Sequence, residues 1–308
     1  MKMKIFRMLC IALCVNMLAC QKNDEVATTS GSNPVKDFFA TLKRPAETFT
    51  INAQSGGQFT TTAGSQFNFN ANSFIDENGN VVTGSITVTV NDFLSKRDLI
   101  FNSVSTVSGG KPIVSGGSYK ISVSQGSKKL SMAPGKNYSV LMPTTYYDVQ
   151  QMSVYNGVEI SNGQFGSIDW IMASNSATSY NFAMWDSMSL SNYLRTNGLN
   201  WVNCDHPTDS DFAPIVIHSN DDVTISGSII VTCPGRFIVC QPSFNRETGN
   251  ANWDYAIMNE NFKACLVYSK NNKFYYSESS FFFTGQNITL PPATEVSETV
   301  LEQKLNSL

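Results

Sequence analysis

The chain has 308 residues, only 15% of them charged, with 21 Lys and Arg against 24 Asp and Glu. Ser, Thr, Asn and Gly crowd the gaps between short runs of Val, Ile, Phe and Tyr, which is the composition of a β-rich secreted protein long enough for two cores. The formal charge of −3 offers no basic surface for phosphates and excludes nucleic acid as a partner.

The N-terminus, MKMKIFRMLCIALCVNMLAC, sets Lys2, Lys4 and Arg7 before an apolar run from Met8 to Ala19 broken by Asn16. This is the layout of a signal peptide. About 12 apolar residues rise roughly 18 Å as a helix, short of the roughly 30 Å of bilayer hydrocarbon. Met17-Leu18-Ala19-Cys20 resembles the lipobox of bacterial lipoproteins. The resemblance implies cleavage of residues 1–19 and acylation of Cys20, palmitate being the typical chain, with each buried methylene adding about 0.8 kcal/mol to the membrane anchor. An ordinary cleaved signal with an incidental Cys20 is the alternative. Gln21-Lys22-Asn23-Asp24-Glu25 looks like the acidic tag of surface-exposed lipoproteins of Bacteroidota, which implies an outer-membrane location facing outward; the plain alternative is the start of a solvated linker.

Residues 20–46 are polar, with Ser-Gly-Ser-Asn-Pro in the middle, and read as a flexible tether. From Phe49 onward period-two alternation takes over. Ile86, Val88 and Val90 alternate with Thr87, Thr89 and Asn91, and Phe67 and Phe69 share one face of an earlier strand. Asp76-Glu77-Asn78-Gly79-Asn80 reads as a hairpin turn. Its Asp and Asn spacing also mimics the start of a calcium loop, but Val81 stands where that loop needs Gly. Further turns fall at Gln125-Gly126 and Pro134-Gly135, and together the spacing predicts an all-β sandwich or barrel.

FNFNANSFIDENGNVVTGSITVTVNDF, SKRDLI, SGGKPIVSGGSYKISV and APGKNYSVLMP together resemble a ZU5-like β domain over residues 47–145. The resemblance implies a β-sandwich interaction module without enzymatic activity, often followed by a second β domain of the UPA type. Relatives of that pair cleave themselves at a His-Phe-Ser step. Here the histidines stand in Asp205-His206-Pro207 and Ile217-His218-Ser219, so self-processing is not expected.

Residues 146–211 read as a joining segment, with NYLRTNGLNWVNCDHP resembling a recurring stretch of the same lipoproteins. Residues 212–292 carry three hairpin candidates and form a second β domain. Residues 293–308 read as a C-terminal helix with Val300, Leu301, Leu305 and Leu308 on one face and Thr294 or Ser297 as cap. The expected fold class is all-β, with two sandwich-like domains in tandem and a short C-terminal helix.

Cys204, Cys233, Cys240 and Cys265 remain in the mature chain beside Cys20. In an oxidising compartment they suggest a disulfide. A two-residue Pro234-Gly235 loop would put Cys233 and Cys240 roughly 13 Å apart, so Cys240–Cys265 or Cys233–Cys265 is preferred, with buried free thiols as the alternative. Asp205, Asp209 and Asp211 lie beside His206 in a stretch that could begin a calcium site, though a polar loop with Asx turns is favoured. No Cys-x-x-Cys, Gly-x-Ser-x-Gly, His-Glu-x-x-His or phosphate-binding loop is present, so no metal, cofactor or catalytic set is expected. Trp170, Trp185, Trp201 and Trp253 read mainly as packing residues, with Trp185 and Trp253, each followed by Asp, as the better exposed platforms for a sugar.

The resulting expectation is a lipid-anchored, non-enzymatic surface module for interaction or structure, engaging an unidentified protein or glycan. The alternative is a glycan-binding accessory lipoprotein for nutrient capture. A hydrolase using His206 and Asp205 stands behind both.

Overall fold

Among the described residues four larger β-sheets enclose three apolar cores, a two-stranded sheet joins Phe74–Ile75 to Ser131–Met132, and three helices sit in the middle core. The computed structural model describes residues 33–143, 152–160, 166–173, 179–186, 189–196, 198–221, 227–245 and 247–308, with backbone only for 179–186 and 189–195. Signal peptide, acidic tag and Cys20 lie outside the described residues.

The first sandwich pairs two sheets. One runs in the order Glu47–Asn52, Ser85–Phe93, Lys111–Gln125, Asn200–Pro207, Ser153–Glu159, Ile168–Met172. The other runs Ser179–Asp186, Ser189–Thr196, Tyr138–Pro143, Gln66–Phe69, Gly57–Thr60. Between them lie Ile86, Val88 and Val90 from one sheet and Phe67, Phe69 and Tyr138 from the other, all buried as the period-two reading predicts. Buried tyrosines need partners for their hydroxyls. Tyr119 meets Tyr138 at 3.1 Å, and Tyr138 donates to the Gly198 carbonyl at 2.6 Å.

The second sandwich pairs the sheet of Phe212–His218 and Asn250–Ile257 with the sheet of Gly227–Cys233, Glu260–Lys270 and Lys273–Phe283. Ile215, Ile217 and Trp253 pack against Ile229, Val231 and Leu266 between them. The chain is therefore all-β, with two sandwiches in sequence and a short C-terminal helix.

The joint differs from its sequence reading. Residues 153–207 supply five strands to the first sandwich, and Asn200–Pro207 pairs with the long strand Lys111–Gln125 near the centre of its sheet. A sandwich ending at residue 145 would leave that long strand without its inner neighbour. Asn33–Leu308 forms one compact unit. The physical reason is a third core, where the outer face of each sandwich is also apolar. Phe93, Trp170 and Trp201 from the first sandwich share it with Ile230, Cys265 and Phe274 from the second. A strand buried on both faces reads as a continuous apolar run, which is why Ile229-Ile230-Val231 does not alternate.

The helices sit in this third core. Helix α1, Pro34–Leu42, overturns the tether reading for its residues. Asn33 caps it by accepting from Lys36 N–H at 3.1 Å, Pro34 opens it, and Val35, Phe38 and Phe39 are buried on one stripe. Helix α2, Lys96–Phe101, carries a capping box between Ser95 and Asp98. Arg44, just beyond α1, pairs with the buried Asp98 at 2.6 Å and locks the two together.

Helix α3, Glu298–Asn306, is capped by Ser297 rather than Thr294. Leu301 and Leu305 are buried and Leu308 is partly so, while Val300 is 40% exposed and leaves the predicted face. Glu278 clamps the helix to the sheet through Lys304 at 2.8 Å, Lys263 at 2.7 Å and the Tyr276 hydroxyl at 3.0 Å. Burial opposes ionisation of Glu278, but these donors outweigh it and hold the carboxyl at about 2. A depressed carboxylate adds stability above its unfolded pKa and loses it as pH falls through the folded one. The stability advantage of wild type over Glu278→Gln should thus shrink as pH falls from 4.5 to about 2, until the two unfolding curves converge; parallel curves across that window would contradict the clamp.

Candidate functional site

The two sandwiches meet along hydrogen bonds between segments 104–115 and 237–241. Thr106 N–H donates to Val239 O at 2.7 Å, Ser115 N–H to Phe237 O at 3.0 Å, and Gln241 N–H to Ser105 Oγ at 2.9 Å. Trp170 donates its indole N–H to Ser105 O at 2.9 Å from the first sandwich, and Trp253 does so to Gly110 O at 3.0 Å from the second. The hairpin Val107–Pro112 is thereby held from both sides.

Beside it opens a crevice of about 200 Å³ lined by Val107, Gly109, Gly110, Ile160, Ile168, Asp169, Asp254 and Tyr255. Gly109 and Gly110 have φ of +56° and +82°, which turn the hairpin without side-chain bulk at the rim. Asp169 Oδ1 accepts the Gly109 N–H at 2.9 Å.

The other wall arises from a proline. Pro214 cannot donate to the ladder, and the register shifts there so that Ala213 faces Ala256 while Ile215 faces Trp253. Two residues, Asp254 and Tyr255, then oppose one, and this bulge turns both outward in succession. Trp253, nominated from sequence as an exposed platform, is 1% exposed and belongs to the core. Tyr255, 37% exposed, takes the accessible position instead. Phe212 braces it edge-on at 6.2 Å and Lys111 Nζ stands 5.6 Å from its ring centroid. The sequence signal was a proline inside a strand pattern, paired with an aromatic directly after Asp254. The side chain of Trp185 lies outside the described residues.

The stretch Cys204–Asp211 is not a polar loop throughout. Asn200–Pro207 is an inner strand in which Cys204 and Asp205 are fully buried, with only Asp209 and Asp211 exposed beyond it. Gly116-Gly117 bulges opposite Cys204, so that Asn203 faces Ser118 and Asp205 faces Ser115. Ser115 Oγ donates to Asn203 Oδ1 at 2.9 Å and Asn203 Nδ2 to Asp205 Oδ2. Burial pushes the Asp205 carboxyl well above the aspartate range, against the contacts with Ser115 and Asn203. Burial, with the Asp205 charge behind it, takes Tyr155 to about 12. A raised carboxyl adds stability below its unfolded pKa and loses it as pH rises toward the folded one. Asp205→Asn should therefore gain stability over wild type as pH rises above about 4, and a pH-independent gap in thermal melts would contradict this assignment.

The two histidines do not converge. His206 Nδ1 meets the Pro207 carbonyl at 2.7 Å in the first sandwich. His218, in the second, has Asn250 Oδ1 at 2.7 Å and Asn220 Oδ1 at 2.8 Å on its two ring nitrogens. Among the described residues no three His, Cys, Asp or Glu are grouped to hold a metal ion, and no helix is long and apolar enough to cross a membrane.

The disulfide expectation fails on geometry. Cys204, Cys233, Cys240 and Cys265 are all free and buried. Cys233 faces Ile238 and Cys240 faces Val231, so the loop between those strands holds four residues, not two. Cys265 faces Ile230, the neighbour of Val231, and adjacent strand residues point to opposite faces. Cys233 and Cys240 thus enter the second sandwich while Cys265 enters the shared core. Burial pushes Cys233 to about 11 and Cys265 to about 12. Maleimide should label these four thiols only after denaturation and without prior reduction. A need for reductant would contradict the free state.

Comparison with protein-family models, curated proteins and solved structures gives no match to any of the three.

Proposed function

We propose that the chain is a lipid-anchored cell-surface protein, held at the outer membrane through Cys20, that acts as a non-enzymatic interaction module. The lipobox-like Met17–Cys20, the acidic residues behind it and the ZU5-like pattern over 47–145 support the location and the class. The observation that carries the reading is the seam. Two sandwiches share one core and hold between them a preformed crevice whose rim is fixed by Trp253, Asp169 and the Val107–Pro112 hairpin. Rigid scaffolds that present a concave site at an inter-lobe boundary suit binding. A hydrolase is the weakest alternative, because Asp205 is buried at an inner strand and His206 and His218 keep separate partners. A glycan-binding role gains from the exposure of Tyr255 beside Asp254.

Metabolic labelling with a clickable palmitate analogue, followed by protease shaving of intact cells, tests the anchor. Wild type should be labelled and shaved, and Cys20→Ala should lose the label. Label retained in that variant, or a protected chain, would overturn the location.

A further inference from the structure

The crevice joins an apolar floor, Val107, Ile160 and Ile168, to a rim of mixed hydrogen-bonding character. Asp169 and Asp254 supply acceptors and Tyr255 a partly exposed ring, while Lys111, outside the lining itself, brings an ammonium to 5.6 Å from that ring. From this lining we infer that the crevice binds one sugar unit of a neutral glycan, an inference that rests on the crevice being the binding site of the proposed module.

Three ligand chemistries compete for such a rim. An acidic group would face two carboxylates against one ammonium and pay for like-charge contact. A basic side chain suits an aromatic ring flanked by carboxylates. One ammonium, however, already stands beside that ring, since Lys111 Nζ is 5.6 Å from the Tyr255 centroid. A second ammonium would meet the first at like charge, a cost that a neutral group does not carry. A hydroxyl both donates and accepts, so it serves the carboxylates and the ammonium together without bringing net charge. A pyranose adds a C–H face that can lie on the Tyr255 ring and the Ile floor while its hydroxyls reach sideways.

Size narrows the choice further. At about 200 Å³ the crevice is smaller than the roughly 300–1,000 Å³ of sites that enclose a drug-sized ligand. A volume of about 200 Å³ admits one sugar ring rather than an enclosed oligosaccharide.

The test is a printed array of neutral and uronic-acid-bearing oligosaccharides probed with the full mature chain, a polylysine peptide serving as the basic probe. Affinity for the strongest glycan is then measured by titration. Neutral glycans should bind, and Tyr255→Ala should weaken binding about 10-fold, with Tyr255→Phe close to wild type. Asp254→Asn should weaken it as well. Both positions are exposed, and unchanged melting temperatures verify that the variants fold. Silence towards neutral glycans, capture of polylysine in their place, or glycan binding indifferent to Tyr255→Ala each overturns the inference. If the array is silent while a protein is cross-linked through position 254 on cells, the sugar assignment falls and the interaction module stands.

Discussion

Phe39→Ala is expected to lower the free energy of unfolding by about 3–5 kcal/mol, the cost of deleting a phenyl ring from a packed core. Phe39 is 3% exposed and meets Phe101 of α2 at 5.5 Å, while its neighbour Phe38 meets Phe274 of the second sandwich at 5.0 Å. Removing the ring opens a cavity where α1, α2 and the shared core converge. Urea denaturation of wild type and variant measures the difference. A tether would tolerate the change within about 0.5 kcal/mol, and that outcome would remove α1 from the folded body.

Trp170→Ala should cost as much or more. The side chain is fully buried, lies edge-on to Trp201 at 6.3 Å, and donates to the buried Ser105 carbonyl. Deletion of a buried indole costs about 3–5 kcal/mol, and taking the donor from a buried carbonyl adds roughly 1–3 kcal/mol. The neighbourhood cannot collapse easily. Gly157 is there because any β-carbon would stand 2.5 Å from Trp201 Cβ and 2.9 Å from Trp170. Trp170→Phe should recover part of the loss by restoring ring volume without the hydrogen bond. An alanine variant within 1 kcal/mol of wild type in urea would mean that the sandwiches do not share this core.

Local periodicity made much of the fold legible. Ile86, Val88 and Val90 face inward, Phe67 and Phe69 share a core, and Leu301 and Leu305 dock the C-terminal helix as their spacing implied. What stayed hidden depended on distant partners or on a shift of one or two residues. The stripe Val35, Phe38, Phe39, Leu42 is helical in spacing, but its polar flanks made the stretch resemble a linker. Asp205 and His206 look like a loop in sequence. They lie in an inner strand because Ser115 and the Gly116-Gly117 bulge of another strand accommodate them. The cysteine pairing failed because Cys265 faces Ile230 and so points away from Cys233 and Cys240, into the shared core, whatever the length of the loop between those two. The site shifted from Trp253 to Tyr255 because Pro214 breaks the alternation opposite them.

The most direct test of the account places a photo-crosslinking amino acid at position 254 in the crevice and, as a control, at position 300 on the exposed side of α3 in intact cells. The account predicts an adduct from position 254 that is absent from position 300, on a chain that external protease can reach. No adduct from position 254, equal adducts from both positions, or a chain protected from protease would contradict a surface module that binds through the seam.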